Sequence, residues 1–167
     1  GLEVAEQLGW HFPDALIYPA GGGTGLIGMW KAFNELKDAG WVSDPLPRLF
    51  AVQSTGCAPV VQAVEQGAER TTPWPNPTTV ASGLRVPGPL GGVLMLRAIR
   101  ESHGGALAVT DAALTEAQER ISRGEAVDMA PEGGAAVAAL EAFVRTNVIG
   151  RDARVVLFNT GAGWLYR

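Results

Sequence analysis

The clearest chemistry lies in Ile17-Tyr18-Pro19-Ala20-Gly21-Gly22-Gly23-Thr24-Gly25-Leu26-Ile27-Gly28. A short apolar run ends at Pro19, a glycine-rich turn follows, and a helical pattern begins. Leu26, Met29, Trp30, Phe33 and Leu36 recur on one helical face, with Lys31, Asn34, Glu35 and Asp38 opposite. Strand, glycine loop and helix in that order aim backbone N–H groups and the positive end of a helix dipole at one point, which suits an anion such as phosphate. Glycine lets the anion approach the backbone closely, and Thr24 adds a hydroxyl donor. Three phosphate readings compete. A P-loop requires Lys-Ser/Thr after its last glycine, and Met29 follows Gly28 instead. A dinucleotide fingerprint matches literally at Gly23–Gly28, but its acidic partner should end the next strand, and that strand ends in Gln53. A single phosphate group is the third. The plain alternative is a tight turn packed under a helix.

Other reactive residue types are sparse. The only lysines are Lys31 and Lys37, both on the polar face of that helix, and Lys31 lies roughly 10 Å beyond Gly25 at 1.5 Å rise per residue. Cys57 is alone, so it forms no internal disulfide, and its apolar neighbours suggest a packed thiol. His103 precedes two glycines and suits a helix C-terminus better than catalysis. Glu132 opens a helix, where a carboxylate suits capping. No residue set has metal-ligand spacing.

The elements that position these residues alternate in type. Leu2–Gly9 reads as the middle or end of a helix with no N-cap before it, so the chain is expected to begin inside an element. Asp14–Pro19 is the first strand, and residues 21–40 hold the loop and its helix. Leu49–Gln53 is the second strand, with Ser54-Thr55-Gly56 expected to cap a helix over about 58–66. Residues 71–89 carry five of the eleven prolines, and such a long segment is expected to be ordered and functional, with Trp74 buried. Pro89–Ser102 is expected to form a helix buried through Leu90, Val93, Leu94 and Leu96. Ala106–Val109 is the third strand, and Thr110-Asp111 caps a helix bearing Glu116–Arg120 and Glu119–Arg123 pairs. An alanine-rich helix turns Val137, Leu140, Phe143 and Val144 inward. Val155–Phe158 is a fourth strand, continuously apolar as in a parallel sheet.

This order gives an α/β fold, a three-layer sandwich with a mainly parallel sheet and a single domain over residues 1–167. Ligands in such sheets gather beyond the carboxyl ends of the strands, so the glycine loop and Asn159-Thr160-Gly161 are expected to share one crevice. The chain is 47% apolar and 18% charged with net charge −4, and its basic residues are scattered, which argues against nucleic-acid binding. No apolar run reaches membrane-spanning length, and a lone cysteine suits a cytoplasmic protein.

Several stretches, in order, resemble threonine synthase. They are Pro19–Gly25 with Trp30-Lys31-Ala32-Phe33, Ala81-Ser82-Gly83-Leu84-Arg85-Val86-Pro87, Ile99-Arg100-Glu101-Ser102, Val109-Thr110-Asp111, Pro131-Glu132-Gly133 and Asn159-Thr160-Gly161-Ala162-Gly163. The set spans essentially the whole chain and is similar to the fold-type II pyridoxal phosphate enzymes. The resemblance implies pyridoxal 5′-phosphate as cofactor, its phosphate held by Gly21, Gly22, Gly23, Thr24 and Gly25, and its ring nitrogen partnered by Thr160. It implies conversion of O-phosphohomoserine and water to threonine and phosphate, with Arg85 a weaker candidate for the substrate anion.

The departures are as informative. The family's Schiff-base lysine and its O3′ asparagine belong to an N-terminal half with no counterpart here, so no catalytic residue is assigned. The ending Trp164-Leu165-Tyr166-Arg167 is unlike the family's. The expectation is the cofactor-holding C-terminal portion of a larger enzyme, inactive alone, which meets its N-terminal half and forms a homo-oligomer. Three alternatives stand beside it: a non-catalytic module for pyridoxal phosphate or another phosphate ligand, a related dehydratase or β-replacement enzyme, and a nucleotide-binding module.

Overall fold

A computed structural model describes residues 1–166. Four strands, β1 (Ala15–Pro19), β2 (Arg48–Ser54), β3 (Gly105–Val109) and β4 (Val155–Leu157), form one sheet in the order β3-β2-β1-β4. Every pairing is parallel, with Leu16 beside Leu49 and Val156, and Val52 beside Leu107. Helices cover both faces, which is why β1 and β2 are apolar on both sides rather than alternating. Leu16, Leu49 and Ala51 pack with α1 (Leu2–Gln7), α2 (Thr24–Asp38), α3 (Pro59–Glu65) and α4 (Gly92–Glu101). Ala15, Ile17, Phe50 and Val52 point the other way, onto α5 (Asp111–Gly124) and α6 (Pro131–Arg145). This is the expected three-layer α/β sandwich.

The glycine-loop helix keeps its expected phase. Leu26, Met29, Phe33 and Leu36 are buried, while Trp30 lies half-buried and donates its indole N–H to Glu101 Oε2 at 3.1 Å. Cys57 is fully buried, and burial pushes its thiol pKa up. No helix of the described residues is long and apolar enough to cross a membrane.

Four local expectations are corrected. The helix expected from Pro89 starts at Gly92, and of its four apolar candidates only Leu96 is buried. Gly92, Met95, Leu96, Ala98 and Ile99 take the inward face, so helical phase turns Val93 and Leu94 to solvent, while Leu90 is exposed in the turn before the helix. Arg120 does not pair with Glu116; it reaches across to Glu141 on α6, because α5 and α6 pack side by side. Glu119 and Arg123 do pair, at 3.1 Å. The cap of α3 comes from Gln53, not from Ser54-Thr55-Gly56, and Trp74 is only half-buried.

Residues 71–89 contain one 3₁₀ turn, Ser82–Leu84, and are otherwise irregular. Hydrogen bonds replace regular structure there. Asp111, first residue of α5, accepts from Ser54 Oγ at 2.9 Å, Thr79 Oγ1 at 2.6 Å and Val80 N–H at 2.9 Å. Burial raises the Asp111 pKa, but these three donors outweigh it and hold the carboxyl below its ordinary value. Ala81 and Leu84 are fully buried, so the segment is anchored by packing as well.

Candidate functional site

The glycine loop leaves β1 at a point that is pinned twice. Ala20 N–H donates to Val52 O at 2.9 Å, and Gln53 Nε2 donates to Ala20 O at 3.0 Å. Gln53 is fully buried, and its Oε1 accepts from Val60 and Val61 N–H at 2.8 and 3.2 Å, the first turn of α3. The residue that stands where a dinucleotide site needs an acid therefore ties a helix start to the loop.

Three glycines are required by what they touch. Gly23, the N-cap of α2, has φ 95°, and a Cβ there would lie 2.5 Å from Met95 Sδ. At Gly21 a Cβ would strike the Gly83 carbonyl, and at Gly25 it would strike the Tyr18 hydroxyl. Gly22 differs, since a Cβ there meets nothing within 4 Å. The N–H groups of Gly21 to Leu26 donate to no acceptor among the described residues. Helices of 15 residues always leave first-turn donors open, but here the loop before the helix leaves its own open too. The result is a concave set of donors.

The opposite wall is built by α6 and the end of β4. Ala130 N–H donates to both Asn159 Oδ1 and Gly161 O, each at 3.2 Å, so the start of α6 is laced to the Asn159–Gly161 segment. Gly133 allows this approach, because a Cβ there would lie 2.7 Å from Met129 Cγ and would also strike Asn159. Thr160 is exposed at the crevice, and its hydroxyl takes no protein partner among the described residues.

A crevice of about 290 Å³ lies between these walls, lined by the loop from Gly21 to Gly25 with Tyr18, Gly83, Glu132, Thr160 and Tyr166. The structure thus brings all six predicted cofactor residues to one place. Arg85 is not among the lining residues; it is exposed just after the 3₁₀ turn, two positions past Gly83. Both lysines are elsewhere. Lys31 pairs with Glu35 in a separate groove between α2 and α4, and Lys37 Nζ donates to Asp44 O at 2.7 Å. No group of three or more His, Cys, Asp or Glu could hold a metal ion among the described residues.

Glu132 corrects a further expectation. It sits in the first turn of α6 but makes no capping bond; its Oε1 instead accepts from Gly83 N–H at 2.8 Å. Glu132 is 3% exposed, and its Oε2 is buried with no hydrogen-bond partner among the described residues. The Tyr166 phenol interacts with this carboxylate, although no bond to Oε2 is completed. Burial raises the Tyr166 pKa, the Ser82 hydroxyl lowers it, and Glu132 raises it further. Burial alone raises the Tyr18 phenol. Tyr18, Gly83 and Tyr166 were missed in the sequence, because nothing local says which way a strand tyrosine or a loop glycine faces. Glu132 carried a signal: it is a lone acid in a run of glycine, alanine and valine, where a charge is seldom buried without a reason.

These features place the chain in a class. Residues 1–161 match the pyridoxal-phosphate dependent enzyme family, and the chain belongs to it. Within that family it is 39% identical over 161 residues to a threonine synthase of Methanosarcina acetivorans, and 35% identical over 162 residues to a threonine synthase of Methanocaldococcus jannaschii. These alignments cover 96% and 97% of the chain but 40% of each relative, so the chain spans about two-fifths of their length. A fungal L-serine ammonia-lyase from Rhizomucor miehei shares the fold over 99% of the chain and 53% of its own, with TM-score 0.75 at 22% identity. A serine racemase from Dictyostelium discoideum does so over 96% and 47%, with TM-score 0.72 at 23% identity.

Proposed function

We propose that this chain is the cofactor-phosphate portion of a threonine synthase-type lyase, which when complete converts O-phosphohomoserine and water into threonine and phosphate. The observation that carries the reading is the cluster of open N–H groups from Gly21 to Leu26 at the start of α2. That donor set, the glycine cradle that a Cβ would fill and the polar far wall fit a phosphorylated ring. When bound, pyridoxal phosphate supplies an electron sink for carbanions.

Each residue then has a role. The amides of Gly21, Gly22, Gly23, Thr24 and Gly25 and the Thr24 hydroxyl hold the phosphate, aided by the helix dipole. Thr160 would offer its hydroxyl to the ring nitrogen and, being neutral, would not require that nitrogen to be charged. Arg85, exposed beyond the crevice, has the weakest claim, on the substrate anion. A lysine amine for the cofactor aldehyde comes from neither Lys31 nor Lys37, whose partners lie away from the crevice. The chain alone therefore turns over no O-phosphohomoserine and needs an N-terminal portion to complete the site. Exposed Leu90, Val93 and Leu94 are apolar surface available to that portion or to a second copy.

The test incubates the chain with pyridoxal phosphate, reduces with borohydride and maps adducts by mass spectrometry. We expect no stoichiometric adduct on Lys31 or Lys37 and no threonine, with activity appearing when the N-terminal portion of a relative is added. A specific adduct with threonine formed by the chain alone would overturn the reading. Cofactor binding with no activity under any complementation would favour the second reading, a non-catalytic phosphate-ligand module.

A further inference from the structure

The crevice contains one group that the phosphate seat does not use. Glu132 lines the crevice, and its Oε2 is buried with no hydrogen-bond partner among the described residues, the Tyr166 phenol being near the carboxylate without completing a bond to it, although Oε1 is satisfied by Gly83. Leaving a buried carboxylate oxygen unpaired is costly, so native structures seldom do it without a ligand, water or ion to complete it. The rest of the local construction maintains this arrangement. At Gly83 a Cβ would lie 2.9 Å from Glu132 Oε1, so a side chain there would press on the carboxylate, and Gly133 lets the start of α6 close onto Asn159. The carboxylate is thus held against the crevice from two sides.

Its charge sets what it can face. An anion at the glycine loop and a carboxylate in the same crevice repel each other, so one anionic ligand cannot place its phosphate near both. Ala130, two residues before Glu132, is bonded to Asn159 and Gly161, which flank Thr160. Glu132 therefore belongs to the wall that carries Thr160. The crevice is bipolar, with open donors on one wall and a buried, unmatched acceptor in the other.

We infer that Glu132 Oε2 is the acceptor for a hydrogen-bond donor, an N–H or O–H, at the end of the ligand remote from its phosphate. This rests on the phosphate reading above and deepens it. Thr160 offers a hydroxyl that both donates and accepts, so it recognises a polar ring atom without requiring that atom to be a donor. A fixed carboxylate accepts only. A phosphorylated ring bearing a donor is selected over one without, since the latter leaves Oε2 dry and unpaired.

The test measures two probes on the full chain by calorimetric titration. Pyridoxine 5′-phosphate carries ring nitrogen and hydroxyls but no aldehyde, so it cannot attach to Lys31, Lys37 or the amino terminus. Benzyl phosphate keeps a ring and a phosphate and lacks those donors. Wild type should bind pyridoxine phosphate at least about tenfold more tightly than benzyl phosphate, the scale of one charged hydrogen bond. Glu132→Gln keeps an acceptor for Gly83 N–H but can present an amide instead of a carboxylate. It should erase most of that preference while benzyl phosphate affinity stays within about twofold. Unchanged preference in Glu132→Gln would overturn the inference. So would equal loss of both probes, which marks Glu132 as a prop for the Gly83 turn. A wild-type chain that does not discriminate overturns it whatever the variant does, including a variant that fails to fold. Failure of the underlying reading looks different: Gly22→Leu then binds both probes as wild type does, with the Glu132-dependent preference still measurable.

Discussion

The two ends of the sheet make a useful contrast. At the amino end of the strands lies a cleft of about 480 Å³, larger than the 290 Å³ crevice at the carboxyl end. It is also rich in charge, with His11, Asp14, Asp44, Arg48 and Arg154 on its walls. Yet its polar groups bond within the chain. Asp14 Oδ2 accepts from Arg154 N–H at 2.7 Å, and Asp44 Oδ2 accepts from Phe12 N–H at 3.0 Å. Arg48 donates to His103 O and Val148 O, and Arg154 donates to Phe12 O. Among the described residues, the smaller carboxyl-end crevice keeps loop amides, the Thr160 hydroxyl and one Glu132 oxygen without partners. Volume and charge alone therefore do not mark a site. Unspent hydrogen-bonding capacity does, because a ligand gains most where the protein has left groups unmatched.

The strongest way to break this contrast is to fill the open end. Gly22→Leu places a side chain where nothing else lies within 4 Å, so folding should be undisturbed. Affinity for inorganic phosphate should fall about hundredfold, the loss of two charged hydrogen bonds at roughly tenfold each, with the thermal midpoint unchanged. Unaltered binding would mean that the loop is only a packed turn. Gly23→Leu is a poorer probe, since φ 95° and Met95 should make it lose stability together with binding.

Removing a spent group should act the opposite way. Arg48→Ala deletes two hydrogen bonds at the amino end and should cost about 1 kcal/mol in denaturant unfolding, leaving phosphate affinity untouched. A change in affinity would show that the two ends are not independent. Thr160→Val should weaken pyridoxine 5′-phosphate by about three- to tenfold and inorganic phosphate not at all, as expected for one neutral hydrogen bond.

Smaller effects sharpen the comparison further. The Asp111 pKa is lowered in the folded chain, so its contribution is present at neutral pH and lost as pH falls below the ordinary carboxylate range near 3.8. The stability gap between wild type and Asp111→Asn in denaturant unfolding followed by circular dichroism should therefore be widest near neutral pH and close as pH falls through the acid range, the variant being the flatter of the two. Arg85→Ala should leave phosphate affinity within about twofold, consistent with a solvated side chain outside the crevice.

Much of this organisation was legible beforehand because local signals agreed. Strand, glycine turn and amphipathic helix follow one another in the sequence, and each is specified by residues within a few positions. Gln53 shows where that legibility ended. Its missing carboxylate correctly argued against a dinucleotide site, yet its bonds to Ala20, Val60 and Val61 depend on α3 folding back over the loop. The α4 reading erred for a related reason: Val93 and Leu94 look like core to any count of apolar residues, and only the phase set by Met95 and Ile99 against the sheet turns them outward.

What this sequence determined by itself was the donor loop, the α/β alternation and the absence of a lysine near that loop, all consequences of residue type and short-range spacing. Only the tertiary structure decided the acceptor wall. Glu132 and Gly83 are 49 residues apart, and Ala130 and Asn159 are 29 apart. No local propensity links such pairs. Parallel strands with helical crossovers bring them together at one end of the sheet, and there burial turned an ordinary first-turn glutamate into an unpaired acceptor.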